Sequence, residues 1–229
     1  MEIIYFLILI ILAIILFKII FNIKIKKMKE KKENKELEEI TDKFPQNVEV
    51  AKTMLEMLDN NSVKIEEAKN TETSLYIAVT NKISIADMKK NYARIQTIAH
   101  ECIHSCQDRR LLLFNFIFSN INIIYFIIIS ILTILKVISN QNLQIEILML
   151  FTLIEFSVRS FLEIDAMTKA KYLAKEYMEK IKLCTEEEKN KLLKEYGNIN
   201  KIGIPFVIDN LLTTALVRVL IYCIISIIW

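Results

Sequence analysis

The chain contains very little glycine and proline, only two residues of each among 229, while 53% of its residues are hydrophobic. Ordinary soluble domains carry much more glycine and a smaller apolar fraction. The composition therefore argues against a simple soluble globular protein. Histidine is equally scarce, since the chain has only two, His100 and His104.

Apolar residues are concentrated in four stretches, residues 3–21, 111–135, 147–158 and 211–229. Each is long enough, or nearly so, to cross a hydrocarbon core of roughly 30 Å as a helix. We therefore expect a mainly α, multi-pass helical membrane protein with about four transmembrane helices in the cell membrane. The first stretch is expected to be a retained anchor, because no positive charge precedes it and a lysine-rich segment follows it where a signal peptide would be cleaved.

Basic residues predict the orientation of these spans. Residues 22–110 hold 17 Lys or Arg, residues 159–204 hold 10, and only three lie elsewhere. The positive-inside rule then places both polar segments in the cytoplasm and both chain ends outside. In that reducing compartment Cys102, Cys106 and Cys184 are not expected to form disulfides.

The charge pattern also predicts partners and boundaries. Lysines alternate with glutamates between Lys29 and Lys43, and no nucleic-acid motif occurs, so no nucleic-acid partner is expected. The six lysines at positions 24–32 are expected to meet anionic lipid headgroups. We expect five segments: an N-terminal anchor (1–23), a cytoplasmic module (24–110), a transmembrane hairpin (111–160), a cytoplasmic helical segment (161–204) and a C-terminal transmembrane helix (205–229).

The sequence His100-Glu101-Cys102-Ile103-His104 carries the clearest chemical signal. Composition alone would produce this arrangement on the order of once in a thousand such chains. On a helix, His100 and His104 lie on one face, so both imidazoles can bind a single zinc ion while Glu101 reaches a water at the metal. Cys102 points roughly 160 to 200° away from both histidines, which favours a packing role. This spacing predicts metal-assisted hydrolysis.

A catalytic zinc site needs a third protein ligand. The residues leave three candidates open, Glu155, Glu163 and Asp165, all near the end of the third apolar stretch.

The module around the motif is expected to combine helices with a small sheet. Helical spacing predicts a helix from Pro45 to about Leu58, and residues 63–68, 75–80 and 83–85 are predicted strands. The histidine helix is expected to start at Ala86 or Asp87. In thermolysin-like zinc peptidases the strand before this helix binds substrate at its edge. Residues 75–79 are either such an edge or an ordinary strand.

The order of these elements resembles the membrane-bound bacterial family of neutral zinc metallopeptidases. The residues that carry the resemblance are His100, Glu101, His104 and Gln107 in the first motif, and Glu163, Asp165, Ala166 and Ala170 in the second. The second motif is more distantly similar to the third-ligand helix of heat-shock and prenyl-protein membrane proteases.

The resemblance implies a metallopeptidase with one Zn²⁺ held by His100, His104 and Glu163. Glu101 is then the general base, and Gln107 and Asp165 support the ligands from outside the metal shell. The substrate is expected to be a peptide or a membrane protein. The family's tyrosine or histidine electrophile is not identifiable, and Tyr172 and Tyr177 are expected to be packing or interfacial residues.

Two departures from the family pattern occur, Ile103 in place of a glycine and Lys169 in place of an arginine. Because of Ile103, an alternative is a zinc-binding membrane scaffold or adaptor with weak or no activity.

A third hypothesis is a transporter, suggested by Arg218 in the last apolar stretch. The partner of Arg218 is expected to be Asp209 or Glu155.

The position of Glu163 sets a geometric condition on the chain. If the second and third apolar stretches form an antiparallel hairpin, His104 and Glu163 differ by 13 residues in their distance from its turn, roughly 20 Å along straight helices. The histidine helix must therefore break between Gln107 and Asn122, where polar residues interrupt the apolar sequence.

Overall fold

The computed structural model of the chain describes residues 2–20, 34–68, 71, 73–87 and 91–229. It is mainly helical and has one small sheet, as expected. The lysines predicted to meet lipid headgroups, at positions 24–32, lie outside the described residues. In chain order the elements are α1 (Glu2–Ile20), α2 (Lys35–Asp42), α3 (Asn47–Met57), β1 (Lys64–Ala68), β2 (Leu75–Ile77), β3 (Lys82–Ala86), α4 (Arg94–Cys106), α5 (Arg109–Ile134), α6 (Gln141–Ile181) and α7 (Glu186–Ile228).

Among the described residues, three helices are long and apolar enough to cross a membrane: α1, α5 and α7. The third apolar stretch lies within α6, where Glu155 interrupts it and Glu146 and Arg159 flank it. Four spans therefore stay a prediction, whereas three candidate spans are observed.

The chain divides into two compact units. The apolar unit contains the described residues of Met1–Ile23, Phe114–Phe161 and Pro205–Trp229. The polar unit contains those of Lys24–Leu113 and Leu162–Ile204.

The apolar unit packs around side chains from four helices. Its buried core consists of Ile10, Ile129, Ile145, Leu148, Val219, Tyr222 and Cys223. Polar contacts also join its helices: the Thr133 and Tyr222 hydroxyls lie 3.0 Å apart, and Arg218 Nη1 donates to Glu155 Oε2 at 2.8 Å. Of the two partners expected for Arg218, the structure therefore selects Glu155.

The polar unit holds a mixed three-stranded sheet with the order β1-β3-β2. β3 pairs in parallel with β1 and antiparallel with β2.

The predicted helix from Pro45 is present as α3. The second predicted strand ends early, because residues 78–80 form a turn. The predicted start of the histidine helix is wrong: Ala86 pairs with Ala68 at the end of β3, and α4 begins at Arg94.

The predicted break after the histidine helix is confirmed. α4 ends at Cys106, Gln107 has an extended backbone (φ −71°, ψ 162°), and α5 starts at Arg109. Asp108 Oδ1 accepts a hydrogen bond from the Arg110 N–H at 2.8 Å and so caps the new helix. The polar residues Asn115 to Asn122, expected to interrupt the helix, lie inside α5 instead.

Arg94 ties the start of α4 to the segment between α2 and α3. Its side chain is 4% exposed. It donates to the carbonyl oxygens of Thr41, Phe44 and Pro45 and to Asn47 Oδ1, over 2.5 to 3.0 Å. Since these oxygens are shielded from water, the guanidinium satisfies acceptors that would otherwise be orphaned.

Replacing Arg94 by methionine should lower the free energy of unfolding by about 3 kcal/mol or more, because several buried acceptors lose their donors. Denaturant unfolding of the protein in detergent, followed by circular dichroism, measures this change. Arg110→Met removes the same charge from an exposed position of the polar unit and should change stability by less than about 0.5 kcal/mol. Equal stability of Arg94→Met and wild type would contradict the anchoring role.

Candidate metal centre

Helix α4 presents both histidines on one face. His100 and His104 are four residues apart, and their Nε2 atoms lie 3.0 Å from each other with the rings at 89°. The opposite face of α4 is buried: Ile95, Ile98, Ala99 and Cys102 have no exposed surface. Cys102 thus points into the core, where its thiol lies 3.8 Å from the Ala51 carbonyl oxygen. Burial raises the pKa of this thiol, so it is not a ready metal ligand.

Glu163, on α6, supplies the third possible ligand atom, a carboxylate oxygen. Its Oε2 lies 3.5 Å from His100 Nε2 and 3.7 Å from His104 Nε2. Burial alone would raise the pKa of Glu163, but its hydrogen bonds with the two histidines outweigh burial and hold the pKa well below its ordinary value. The carboxylate is therefore ionised and ready to bind a cation.

The three donor atoms fit a transition-metal ion. Given these distances, the nearest point that is equidistant from all three atoms lies about 2.0 Å from each, which is the usual length of Zn–N and Zn–O bonds. Two imidazoles and one carboxylate suit zinc, whereas calcium and magnesium prefer oxygen alone. Within the described part of the chain, this is the one group of three or more His, Cys, Asp or Glu side chains that could share a metal.

Gln107 determines which nitrogen of His104 carries the proton. The Gln107 Nε2 donates to the Leu162 carbonyl oxygen at 2.8 Å and to Asp165 Oδ2 at 2.9 Å, and neither of these oxygens can donate. Its Oε1 therefore faces His104 Nδ1, 2.8 Å away, and accepts a hydrogen bond from the Nδ1–H group. The Nε2 of His104 faces Glu163 and His100. Because Nδ1 keeps its proton, Nε2 is the nitrogen that can give up a proton and offer its lone pair to a metal.

Asp165 contacts Gln107, which in turn contacts His104. Its second oxygen, Oδ1, pairs with Lys169 Nζ at 2.6 Å. Burial raises the pKa of Asp165, but hydrogen bonds from Gln107 and Lys169 outweigh burial and lower it. Lys169 thus neutralises the carboxylate that holds Gln107.

Glu101 is buried, with 5% of its surface exposed. Its Oε2 accepts a hydrogen bond of 2.6 Å from the Tyr76 backbone N–H, and its other oxygen remains available. Burial raises the pKa of Glu101, although the nearby histidines and the Tyr76 N–H partly offset this effect. A buried carboxyl group that gains a proton more readily than usual is suited to general-base chemistry.

Strand β2 lies at an edge of the sheet, as the substrate-edge interpretation requires. Tyr76 is opposite Ile83 of β3, and its N–H points away from β3 towards Glu101. β2 covers only Leu75–Ile77, so it is shorter than the predicted stretch 75–79. The outer edge of β2 and the Glu101 carboxylate are therefore directly joined by one hydrogen bond.

Three other residues singled out in the sequence are not members of the group of three donors. Glu155 is bound by Arg218 and Asn122 in the apolar unit. Tyr172 is 62% exposed, whereas Tyr177 is fully buried against Phe44.

Ile103 belongs to the buried core of the polar unit and is 8% exposed. The departure from glycine at this position therefore adds apolar packing to the core.

Sequence reasoning missed a polar pair one turn before His100. Gln96 Nε2 donates to Asn200 Oδ1 at 2.7 Å, and Asn200 Nδ2 donates to the Met167 carbonyl oxygen at 2.8 Å. These bonds connect α4 with α6 and α7. The four-residue spacing between Gln96 and His100 was a usable signal for Gln96, but nothing in the sequence points to Asn200.

No family model, curated protein or solved structure matches the chain.

Gln107→Leu should weaken zinc binding about 10- to 100-fold, because His104 loses the acceptor that holds its tautomer. Competition with a chromophoric chelator measures the affinity. The chain has only two histidines, so ¹⁵N-histidine NMR should also show a changed Nδ1 signal for His104 alone. Gln46→Leu, an exposed position in the same unit, is the matched control. Unchanged affinity together with an unchanged His104 signal would refute the role given to Gln107.

Proposed function

We propose that the chain is an integral-membrane zinc endopeptidase. The observation that carries this proposal is the placement of His100, His104 and Glu163 around one point at metal-bond distance, with the buried carboxyl group of Glu101 beside them on the same helix. Two imidazoles and one glutamate form the ligand set of many zinc peptidases, and a fourth position is left for water or substrate.

The ligands are oriented before any metal binds. Gln107 holds the tautomer of His104, and Glu163 supplies a negative charge that partly neutralises a divalent cation. Bound zinc would lower the pKa of a water molecule and polarise the scissile carbonyl group.

Glu101 supplies the proton transfer. Its Oε2 is held by the Tyr76 N–H, which leaves Oε1 to accept a proton from the attacking water and to pass it to the leaving amine. Because burial raises the pKa of this carboxyl group, the protonated state needed for the second transfer is more accessible than for a solvent-exposed glutamate.

Strand β2 offers a place for the substrate backbone. It is an edge strand, and its first residue, Leu75, is 56% exposed. An extended peptide can add to such an edge by main-chain hydrogen bonds. The N–H of Tyr76 is already engaged by Glu101, so we propose that the peptide pairs with the other free groups of this edge.

We further propose that the chain crosses the membrane four times, with α6 contributing the fourth span, and that the polar unit lies in the cytoplasm. The support is the distribution of Lys and Arg, of which 17 fall in residues 22–110 and 10 in residues 159–204. Peptides or membrane-anchored proteins reaching that face are the proposed substrates.

Glu101→Gln should reduce peptide cleavage at least about 100-fold without loss of zinc, because it removes the base and no ligand. Cleavage of a peptide mixture by purified protein, followed by mass spectrometry, measures activity, and atomic absorption measures zinc. The control Glu67→Gln makes the same change on exposed strand β1 and should leave both unchanged. A zinc-loaded protein whose cleavage does not depend on Glu101 would instead support the scaffold alternative.

His104→Ala and Glu163→Ala should each lose the stoichiometric zinc, since two protein ligands do not make a stable site. Glu155→Ala should retain it, because Glu155 is bound by Arg218 in the apolar unit. Full zinc in Glu163→Ala together with loss of zinc in Glu155→Ala would show that the third ligand is wrongly assigned.

A further inference from the structure

Unsatisfied polar groups are concentrated in the apolar unit. Among the described residues, 11 buried side-chain nitrogen or oxygen atoms have no hydrogen-bond partner, and eight of these belong to the apolar unit. The eight residues are Asn115, Ser119, Asn122, Ser130, Thr152, Ser160, Asp209 and Ser226. A buried polar atom without a partner costs about 1 to 3 kcal/mol, so such a concentration requires an explanation.

Four of these side chains, here called the stripe, lie on α5 and α6. On α5, Asn115, Ser119 and Asn122 recur at helical spacing, and on α6 Thr152 precedes Glu155 by one turn. The two helices run antiparallel, since Asn122 contacts Glu155 and Tyr125 contacts Gln144 nearer the turn. At about 1.5 Å per residue the stripe is about 15 Å long, half of a hydrocarbon core.

A charge pair lies in the middle of this stripe. Glu155 Oε2 accepts hydrogen bonds from Arg218 Nη1 at 2.8 Å and from Asn122 Nδ2 at 2.6 Å. With the described residues Arg218 makes only this one hydrogen bond, although a guanidinium carries five N–H donors. The Oδ1 atom of Asn122, a residue with no exposed surface, has no donor within the described part of the chain. Both Arg218, which has unused donors, and Asn122, which has an unused acceptor, therefore contact Glu155 at one place.

The hydroxyl groups show that helix geometry alone does not explain the stripe. Thr133 and Ser157 satisfy their hydroxyls by donating to the carbonyl oxygen four residues earlier, at 2.8 Å in both cases. Ser119 and Thr152 have the same option but make no such bond, nor any other with the described residues.

We propose that this stripe binds water: a hydrated crevice between α5 and α6 that reaches the Glu155–Arg218 pair inside the apolar unit. Water is the ligand that fits, because it both donates to Asn122 Oδ1 and accepts from Arg218. A buried water also needs two to four polar partners, which Thr152 helps to supply. Hydration lowers the free-energy cost of burying a charge pair at a depth where hydrocarbon would otherwise penalise it. This inference is independent of the proposed peptidase activity.

Cysteine accessibility tests the proposal in the full-length protein in membrane vesicles. The four native cysteines are replaced, and single cysteines are placed at Ser119, Asn122 and Thr152. Matched lipid-facing controls on the same helices are Ile117→Cys, Ile121→Cys and Leu153→Cys, whose native side chains are 47% to 59% exposed. A charged, membrane-impermeant methanethiosulfonate is added to each face in turn, and labelling rates are measured.

The stripe cysteines should react at least about tenfold faster than their controls from one face, because the reactive thiolate forms only where water solvates it. Equal, slow labelling of stripe and control positions would mean a dry interface and would overturn the proposal, as would equal, fast labelling of both. Asn122→Cys removes a partner of Glu155 and can impair folding. Ser119→Cys is nearly isosteric, so its rate relative to Ile117→Cys decides the outcome if the Asn122 variant does not fold.

Discussion

The break in the helix at Gln107 is the constraint on which the candidate metal centre depends. Because the chain leaves the helix there, the Gln107 amide reaches His104, the Leu162 carbonyl oxygen and Asp165 at the same time. One side chain thus ends α4, orients a histidine and binds that histidine to the helix that carries Glu163. A helix continuing past Gln107 would turn this amide away from at least one of its three partners.

Charge and burial are balanced differently in the two units. In the polar unit, every carboxylate near the histidines has a defined partner: Glu163 has the two imidazoles, Asp165 has Lys169, and Glu101 has the Tyr76 N–H. In the apolar unit, Glu155 and Arg218 pair with each other, and several polar atoms have no partner among the described residues. The first arrangement preorganises a site for a cation, whereas the second is suited to binding solvent.

Much of the site was predictable because its signals are local. The spacing of His100 and His104 is a property of one helix, and the mismatch in length between His104 and Glu163 required a break that the structure contains. The choice of Glu163 over Glu155 and Asp165 needed a resemblance, since all three lie on the same stretch of α6. The start of α4 was predicted wrongly because local propensity cannot reveal that Ala86 pairs with Ala68 in a parallel ladder. Asn200 was missed because its partner Gln96 is distant in the chain.

The sequence by itself determined the pair of histidines, the carboxylate next to the first, the long apolar stretches and the need for a bend, since helical periodicity and chain length decide all of these. Only the tertiary structure decided which carboxylate meets the histidines, which tautomer His104 adopts, and that Glu101 is held by the edge strand. Those features arise from contacts between residues far apart in the chain, and such contacts depend on how the elements of the polar unit pack together.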